Sequence, residues 1–380
     1  MVVLNEIVNL DRVAYVVDTH TLQDFKADYP GSYTDCKKDF NKIMKYLHLK
    51  LQGVEKAEYT YGKGGRTDGR MWGNACSIQN AMKNVRGFIC DGLSTDIDQC
   101  NAHPIILKNI CDKHKIECPY LYQYITDRED VLCKIMECDT INRNEAKTKI
   151  LEATNSCFKM TSNNTFFKGY HKEMKSIQSQ LLLIDEYKYL HRYARKEKGN
   201  FQGSVLNHIL CVAEDIILQL MKKCFETNGY ELQALMFDGL MVYGDVGVGF
   251  LQVVEKYIAD NCEYTGIKLA IKDHASTFEI PADYKPKVIQ SYDQMKNEFE
   301  KYNSKVAAQF VYDKYDDVNI YSQAEFQVLY RSKKYYDFDT QKEKSFINKW
   351  LDDDDKREYE KFDSYPKDCL IPRDPATNAP

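Results

Sequence analysis

Apolar residues recur at helical spacing along much of this chain. The clearest amphipathic helix covers residues 204–226 (SVLNHILCVAEDIILQLMKKCFE). Weaker helical patterns cover 36–52, much of 105–200 and 250–262. Because apolar residues three and four positions apart share one face of a helix, these stretches are predicted to form helices.

A second set of stretches favours strands. Residues 86–98 (RGFICDGLSTDID) and 267–272 (IKLAIK) are short and apolar, whereas 61–74 (YGKGGRTDGRMWGN) is Gly-rich and basic and is predicted to be a loop. Residues 231–245 (ELQALMFDGLMVYGD) hold two short apolar runs on either side of Phe237, Asp238 and Gly239. That pattern is typical of a β-hairpin with an acid at its turn. The mixture predicts an α+β protein.

Composition divides the chain into three segments, 1–60, 61–285 and 286–380. Proline and charge near 281–290 mark the second boundary, and the residues beyond it are more polar. They include an acidic run at Asp352–Asp355 and a tail, 372–380, that has the composition of a disordered segment. No internal repeat is visible.

Bulk composition narrows the class of protein. The 380 residues are 43% hydrophobic, enough for a sizeable core, and the net charge is −5. That charge argues only weakly against nucleic-acid binding, because a basic channel can be hidden in a neutral total. No apolar run approaches the ~20 residues of a membrane helix, and the first residues lack signal-peptide architecture. We therefore expect an intracellular protein that is neither secreted nor membrane-bound, with its 13 cysteines reduced.

Two acids lie close together in the stretch TDIDQCNAHP (95–104). Asp96 and Asp98 are two residues apart, so both side chains point to the same face of a strand. Asp238 follows about 140 residues later at the predicted hairpin turn. Carboxylates from separate elements that meet on a sheet suit Mg²⁺, which prefers one or two carboxylates with substrate phosphates and water. A solvated strand-end acid and an ordinary Asp-Gly turn would give the same pattern.

Two basic stretches add to this picture. In NRNEAKTKILEATNS (142–156), Arg143 and Lys147 share a helical face that suits a triphosphate, and Leu151 and Asn155 extend it. A solvated basic stripe paired with neighbouring glutamates is the alternative. In residues 67–89, polar side chains precede the strand with the acids and suit contacts to a nucleic-acid backbone, although a polar surface loop is an equal alternative; these are Arg70, Gln79, Asn80 and Arg86.

The order of these motifs resembles the palm and fingers of family A DNA polymerases and the single-subunit phage-type RNA polymerases. The resemblance covers roughly residues 60–280. In that family, TGR, a short gap, QN and an Arg precede the first catalytic strand, and here these are Thr67, Gly69, Arg70, Gln79, Asn80 and Arg86. A fingers helix with Arg-x-x-x-Lys and a helix with Asn-x-x-x-Gln follow, matched by Arg143 with Lys147 and, in part, by Asn207.

The chain departs from the family at several positions. The usual Phe and Tyr-Gly of the fingers helix are Leu151 and Asn155-Ser156, and the Gln after Asn207 is Cys211. The family's His-Asp-Glu is Phe237-Asp238-Gly239. These departures look most like the transposon–viral polymerase group, whose members are often fused to a helicase. Residues 345–366 resemble the segment that leads into such helicases.

The resemblance implies a right-hand polymerase with a β-sheet palm, helical fingers, a thumb-like segment at 1–60 and a small helical connector at 286–380. It implies two Mg²⁺ ions on Asp98 and Asp238, with Asp96 as assistant or alternative ligand, and His103 under the incoming sugar. Primer–template DNA, nucleoside triphosphates and a replicative helicase on the same polypeptide would be its partners. A primase, or a helicase-loading module without catalysis, is the alternative.

Overall fold

A computed structural model describes residues 1–27, 32–62, 66–156, 158–194, 199–274 and 276–285, together with 293, 295–296, 321–322, 333–337, 340, 342–351 and 369–370. The helices are α1 (Leu10–Thr19), α2 (Leu22–Ala27), α3 (Tyr33–Leu51), α4 (Lys83–Cys90), α5 (Ala102–Lys113), α6 (Pro119–Thr126), α7 (Arg128–Asp139), α8 (Arg143–Asn155), α9 (Thr165–Leu181), α10 (Phe201–Thr227), α11 (Val248–Asn261) and α12 (Phe346–Leu351). Short 3-10 helices cover Ile78–Asn80 and Asp185–Tyr193. The strands are β1 (Val2–Asn5), β2 (Lys56–Tyr61), β3 (Met71–Gly73), β4 (Ser94–Cys100), β5 (Leu232–Leu235), β6 (Gly239–Tyr243), β7 (Lys268–Lys272), β8 (Tyr321–Ser322), β9 (Lys334–Asp337), β10 (Lys342–Ser345) and β11 (Cys369–Leu370).

The centre of the fold is an antiparallel sheet with the strand order β5-β6-β4-β7. Its two faces pack against different cores. Leu240 and Val242 of β6 join the core built with α5, α10 and α11, whereas Met241 joins the core built with α1, α3 and α4. Since successive side chains of a strand point to opposite faces, a strand covered on both sides needs apolar residues at every position. This explains the unbroken run LMV, and the predicted hairpin is confirmed.

Helix α10 is the longest described helix and confirms the clearest sequence pattern. Among the described residues it alone is long and apolar enough to cross a membrane, although its most apolar window is 61% buried within the protein. Glu214 and Asp215, at the middle of the helix, are also buried. The core that α10 packs against therefore accounts for its apolar face.

The predicted strand over 86–98 is correct only in its second half. Residues 83–90 form α4, Gly92 takes a positive φ of 77°, and the strand begins at Ser94. Val85, Phe88 and Ile89 are spaced as on one helical face. They are buried together in the core built with α1, α3 and α4. The periodicity of a short apolar run does not distinguish a strand from a buried helix. In residues 83–90, tertiary packing favours the helix.

The structure of segments 1–60 and 286–380 differs from the predicted division of the chain. Strands β1, β2 and β3 form one sheet that joins residues 2–5 to 71–73, so it crosses the predicted boundary at residue 60. In the described part of 286–380, the pairs β9–β10 and β8–β11 accompany α12, so this part is mixed rather than helical. The acidic run 352–355 and the tail 372–380 lie outside the described residues. The thumb-like and connector assignments stay predictions.

Candidate active site

The central sheet brings Asp98 and Asp238 together. Asp98 on β4 pairs in register with Gly239 on β6, directly after Asp238. The main-chain N–H of Gln99 donates to the carbonyl of Asp238 at 3.3 Å. Burial, and then the charges of Asp98 and Glu214, raise the pKa of Asp238 to about 6. The fold thus holds two mutually repelling carboxylates side by side, although they are far apart in the sequence.

Gly239 is required for this close approach of β6 to β4. A Cβ on Gly239 would lie 2.3 Å from the carbonyl oxygen of Ile97 and 3.1 Å from Oδ1 of Asp98. The first distance is to backbone, which cannot move without shifting the strand. A side chain at residue 239 would therefore force the two strands to shift.

We expect Gly239→Ala to lower the melting temperature by roughly 3–10 °C, because overpacking costs about 1–3 kcal/mol. Gly249→Ala is the control, since a Cβ there meets no atom within 4 Å. Thermal unfolding followed by circular dichroism measures both. Equal melting temperatures for the two variants would mean that β6 relaxes freely around residue 239.

Asp96 and Asp98 have different cationic partners. The Arg86 guanidinium lies 3.7 Å from the Asp96 carboxylate, and Lys272 on β7 forms an ion pair with Asp98. Asp96 is buried, and this burial raises its pKa although Arg86 and Lys272 act to lower it. Arg86 was expected at the nucleic acid, but its charge is directed at the sheet. Asp98 is the more accessible acid of the pair, with 16% of its side chain exposed against 8% for Asp96.

The amides expected to contact nucleic acid are engaged with protein backbone. Gln79 accepts from the N–H of Gly73 at 2.9 Å and donates to the carbonyl of Leu235 at 2.6 Å. Asn80 donates to the carbonyls of Asn74 at 2.8 Å and Ser77 at 2.9 Å. Gln79 thus ties the turn to β5, and Asn80 closes the turn on itself, so both residues hold the segment that follows Arg70.

Glu214 on α10 is the centre of a buried ion-pair network that sequence reasoning missed. The guanidinium of Arg70 donates to its carboxylate at 2.7 and 3.2 Å. Nε2 of His103 lies 2.9 Å from the same carboxylate. Burial acts to raise the pKa of Glu214, but His103 and Arg70 hold it below its usual value. An acid inside the apolar run CVAEDIIL was the available signal, because a buried acid needs a partner.

His103 is consequently a charged residue. Burial acts to lower its pKa, but contacts with Cys211 and Glu214 outweigh it and raise the pKa to about 9. The ligand atoms of His103, Cys211 and Glu214 lie within 4.8 Å of one another, as in a metal site. Glu214 also connects this cluster to Arg70 through two hydrogen bonds, so the three residues are part of the ion-pair network.

Helix α8 brings Lys147 within electrostatic range of Asp98. Partial desolvation, followed by the charges of Arg128, Arg143 and Lys272, lowers the pKa of Lys147, while Asp98 opposes this shift. We call Arg128, Arg143, Lys147 and Lys272 the basic cluster. Arg143 lies at its outer side, half exposed and bound through two hydrogen bonds of 2.9 and 2.7 Å to Glu129. Arg128 and Lys272 were not expected at the site, and only the fold brings them there.

The remaining predicted residues of the fingers have mixed surroundings. Leu151 is 54% exposed. Asn155 ends α8, and its carbonyl accepts from Asn200 at 2.9 Å. A Cβ on Gly203 would lie 2.1 Å from that carbonyl, so α10 touches the end of α8 directly. Asn207, one turn after Gly203 on α10, is half-buried.

Comparison with known proteins gives limited matches. The sequence matches no protein-family profile. It is 26% identical over 266 residues to a Sputnik virophage protein described as "Putative helicase V13", and the match covers 65% of this chain and 34% of that protein. The chain therefore spans about a third of the length of this relative. The POL domain of Pol1 from M. smegmatis, solved in complex with DNA primer-template and dNTP, aligns with 70% of this chain and 55% of its own at 10% identity and a TM-score of 0.46. The structural match to this POL domain does not define a function. The sequence match is to a viral protein.

Proposed function

We propose that this chain is the polymerase part of a longer viral or mobile-element replication protein, and that it extends a DNA primer on a template. The observation that supports this most is the meeting of Asp98 and Asp238 on one sheet, near the basic cluster on α7, α8 and β7. Paired carboxylates facing several cations suit a reaction between a polyphosphate and a hydroxyl. The order of the sequence motifs supports the same reading.

The donor set fits divalent metal. Asp98 and Asp238 supply hard carboxylate oxygens, and after burial the charge of Asp98 contributes to the raised pKa of Asp238, a repulsion that a bound cation would relieve. These two residues would hold Mg²⁺, with Asp96 behind them on Arg86. Two such ions would activate the attacking primer hydroxyl and stabilise the leaving oxygen.

The protein's own residues have distinct tasks in this proposal. Lys147 and Arg143, with Arg128 and Lys272, bind the triphosphate and neutralise the departing pyrophosphate. Arg70 and Asn207 contact the duplex from the two elements that flank the site. Gln79, Asn80 and Arg86 hold the loop and the strand in place for that contact, as their hydrogen bonds and ion pair indicate.

Primer extension tests this proposal directly. The protein is incubated with Mg²⁺ and either deoxy- or ribonucleotides, on a primed template and on the same template without primer. We expect deoxynucleotide addition on the primed template alone. Products made from ribonucleotides on the unprimed strand would replace this proposal with a primase. DNA binding with no incorporation on either template would favour a helicase-loading module.

A fusion to a helicase is a further part of the proposal. The relative named as a helicase is about three times as long as the stretch it shares with this chain. A replicative helicase on the same polypeptide would act on the same DNA strand that the polymerase copies. Co-purification of ATP-dependent unwinding with primer extension in the full-length protein would test this arrangement.

His103 is proposed to select the sugar of the incoming nucleotide. Its contact with Glu214 fixes the orientation of the ring, and in this proposal a 2′-hydroxyl of the incoming sugar would collide with the imidazole. Overpacking of about 1–3 kcal/mol corresponds to roughly 5- to 150-fold selection for deoxynucleotides. His103→Ala should narrow the difference in kcat/KM between matched dNTP and rNTP. Unchanged discrimination in the variant would show that another residue is the gate, and a parent enzyme that prefers rNTPs would favour the primase.

A further inference from the structure

An exposed tryptophan lies beside the candidate site, and no role has yet been given to it. Trp72 on β3 is 53% exposed, while Met71 before it is buried. Its ring meets the ring of Phe237 edge to face, with centroids 5.0 Å apart. Phe237 directly precedes Asp238 in the hairpin turn, so one aromatic contact separates Trp72 from the acids.

Phe237 is held in an unusual backbone conformation. Its φ is 63°, in the left-handed region that bulky residues rarely adopt. Strain of this kind persists where the surroundings enforce it, and it is concentrated at functional sites. The Arg70 guanidinium lies 5.4 Å from the centre of the Phe237 ring, and Trp72 contacts the ring edge-on. The strained turn thus fixes one ring between a cation and a second, exposed ring.

The exposure of Trp72 is not explained by stability. An indole contributes to the core when it is buried, whereas more than half of this one faces water. The edge-on contact with Phe237 leaves ring surface open. An aromatic surface next to arginine is the chemistry that binds nucleobases, since every base has a face that can stack.

We propose that Trp72, supported by Phe237, is a stacking platform for the terminal nucleotide of the primer strand. This rests on the proposed function, because the strand that reacts at Asp98 and Asp238 must end within reach of the Asp238 turn. A base on Trp72 would lie one ring away from that turn. The platform would hold the primer end without reading its sequence.

Tryptophan fluorescence tests the platform without any catalytic turnover. The chain has two tryptophans, and Trp350 is buried. The emission of the parent minus that of Trp72→Phe therefore isolates Trp72. We expect a primer–template duplex to quench this difference signal saturably, with the same midpoint as DNA binding measured by anisotropy of a labelled duplex.

Binding by variants gives the second measurement. Stacking is worth about 1–3 kcal/mol per base, so Trp72→Ala should weaken duplex binding roughly 5- to 150-fold. Trp72→Phe should retain most of the affinity. Tyr122→Ala is the matched control, since Tyr122 is 55% exposed and lies against Lys108. It should bind like the parent.

The outcomes separate the two proposals. If the duplex binds and is extended, but Trp72 emission and Trp72→Ala affinity do not change, the platform is wrong and the proposed function stands. If the duplex neither binds nor is extended, both are wrong. If Tyr122→Ala loses as much affinity as Trp72→Ala, exposed aromatic surface in general accounts for binding and the platform is overturned.

Discussion

Asp238→Asn is expected to abolish nucleotide incorporation and at the same time to make the protein more stable. Loss of a metal ligand removes several kcal/mol of transition-state stabilisation, so the rate should fall by about 10³-fold or more. The same substitution removes a buried charge next to Asp98 and Glu214. A variant that folds better and does not work cannot be dismissed as misfolded.

The stability gain has a definite pH dependence. Asp238 has a pKa of about 6 in the folded protein against an ordinary value of 3.8, so the folded state favours the protonated form. Below pH 3.8 the charge is absent in both states and nothing is gained. As the pH rises through 6, the charged carboxyl costs the folded parent up to about 3 kcal/mol. The difference in unfolding free energy between variant and parent, measured in chelator, should therefore grow between pH 4 and 6 and then level off.

Two further substitutions define this result. Asp98→Asn should lose incorporation to the same extent, whereas Asp96→Asn should be milder because Asp96 is engaged with Arg86. Asp245→Asn, at the exposed turn after β6, is the neutral control. Near-parental extension by Asp238→Asn would place the reaction at another site.

Lys147→Ala is expected to be far more damaging than Arg143→Ala. Lys147 lies within the electrostatic reach of Asp98 and Lys272, whereas Arg143 is half exposed and already bound to Glu129. Without Lys147, we expect kcat/KM for the nucleotide to fall about 100-fold, corresponding to roughly 3 kcal/mol. For Arg143 the fall should be about 10-fold or less, since its guanidinium is already bound by two hydrogen bonds to Glu129.

Single-nucleotide incorporation under pre-steady-state conditions measures this pair. Lys134→Ala is the control, because Lys134 is exposed on α7 and pairs with Asp130. Template affinity should be unchanged in all three variants. A loss of template affinity with intact nucleotide kinetics in Lys147→Ala would assign the basic cluster to the DNA channel.

The local sequence pattern predicted which helices and strands form better than it predicted which elements pack against one another. The hairpin around Asp238 and helix α10 each follow from a period that neighbouring residues set by themselves. Residues 86–93 were misread as strand because their burial depends on α1 and α3, which are distant in sequence. The same limit explains the missed site residues. Glu214 and Lys272 look like ordinary residues until the fold brings them to Arg70 and Asp98.

For the predicted roles too, the chemistry of a residue could be read from the sequence, but the groups that it contacts could not. Arg86, Gln79 and Asn80 have the chemistry to contact nucleic acid, and the sequence offers no sign that protein groups use it first. Two carboxylates that meet on a sheet could be predicted from strand ends alone, since each is fixed by its own element. Domain limits were harder, because strands β1 to β3 connect segments that composition separates.

The contact between α8 and α10 determines which end of α8 is held more firmly. The end of α8 is pinned at Asn155 by Asn200 and Gly203, and Thr154 next to it accepts from Gln178 at 2.7 Å. The other end, at Arg143, is tied to α7 through an exposed ion pair. Lys149 in the middle of α8 is also bound to Asp139 of α7 at 2.6 Å, so a tilt of α8 about its last turn would have to open this ion pair. With a rise of about 1.5 Å per residue, Arg143 sits at the tip of a lever of about 18 Å, and a tilt of about 10° would carry it roughly 3 Å. Lys147 would move about two thirds as far. The Arg143 end of the helix would therefore reach a bound triphosphate before Lys147 does.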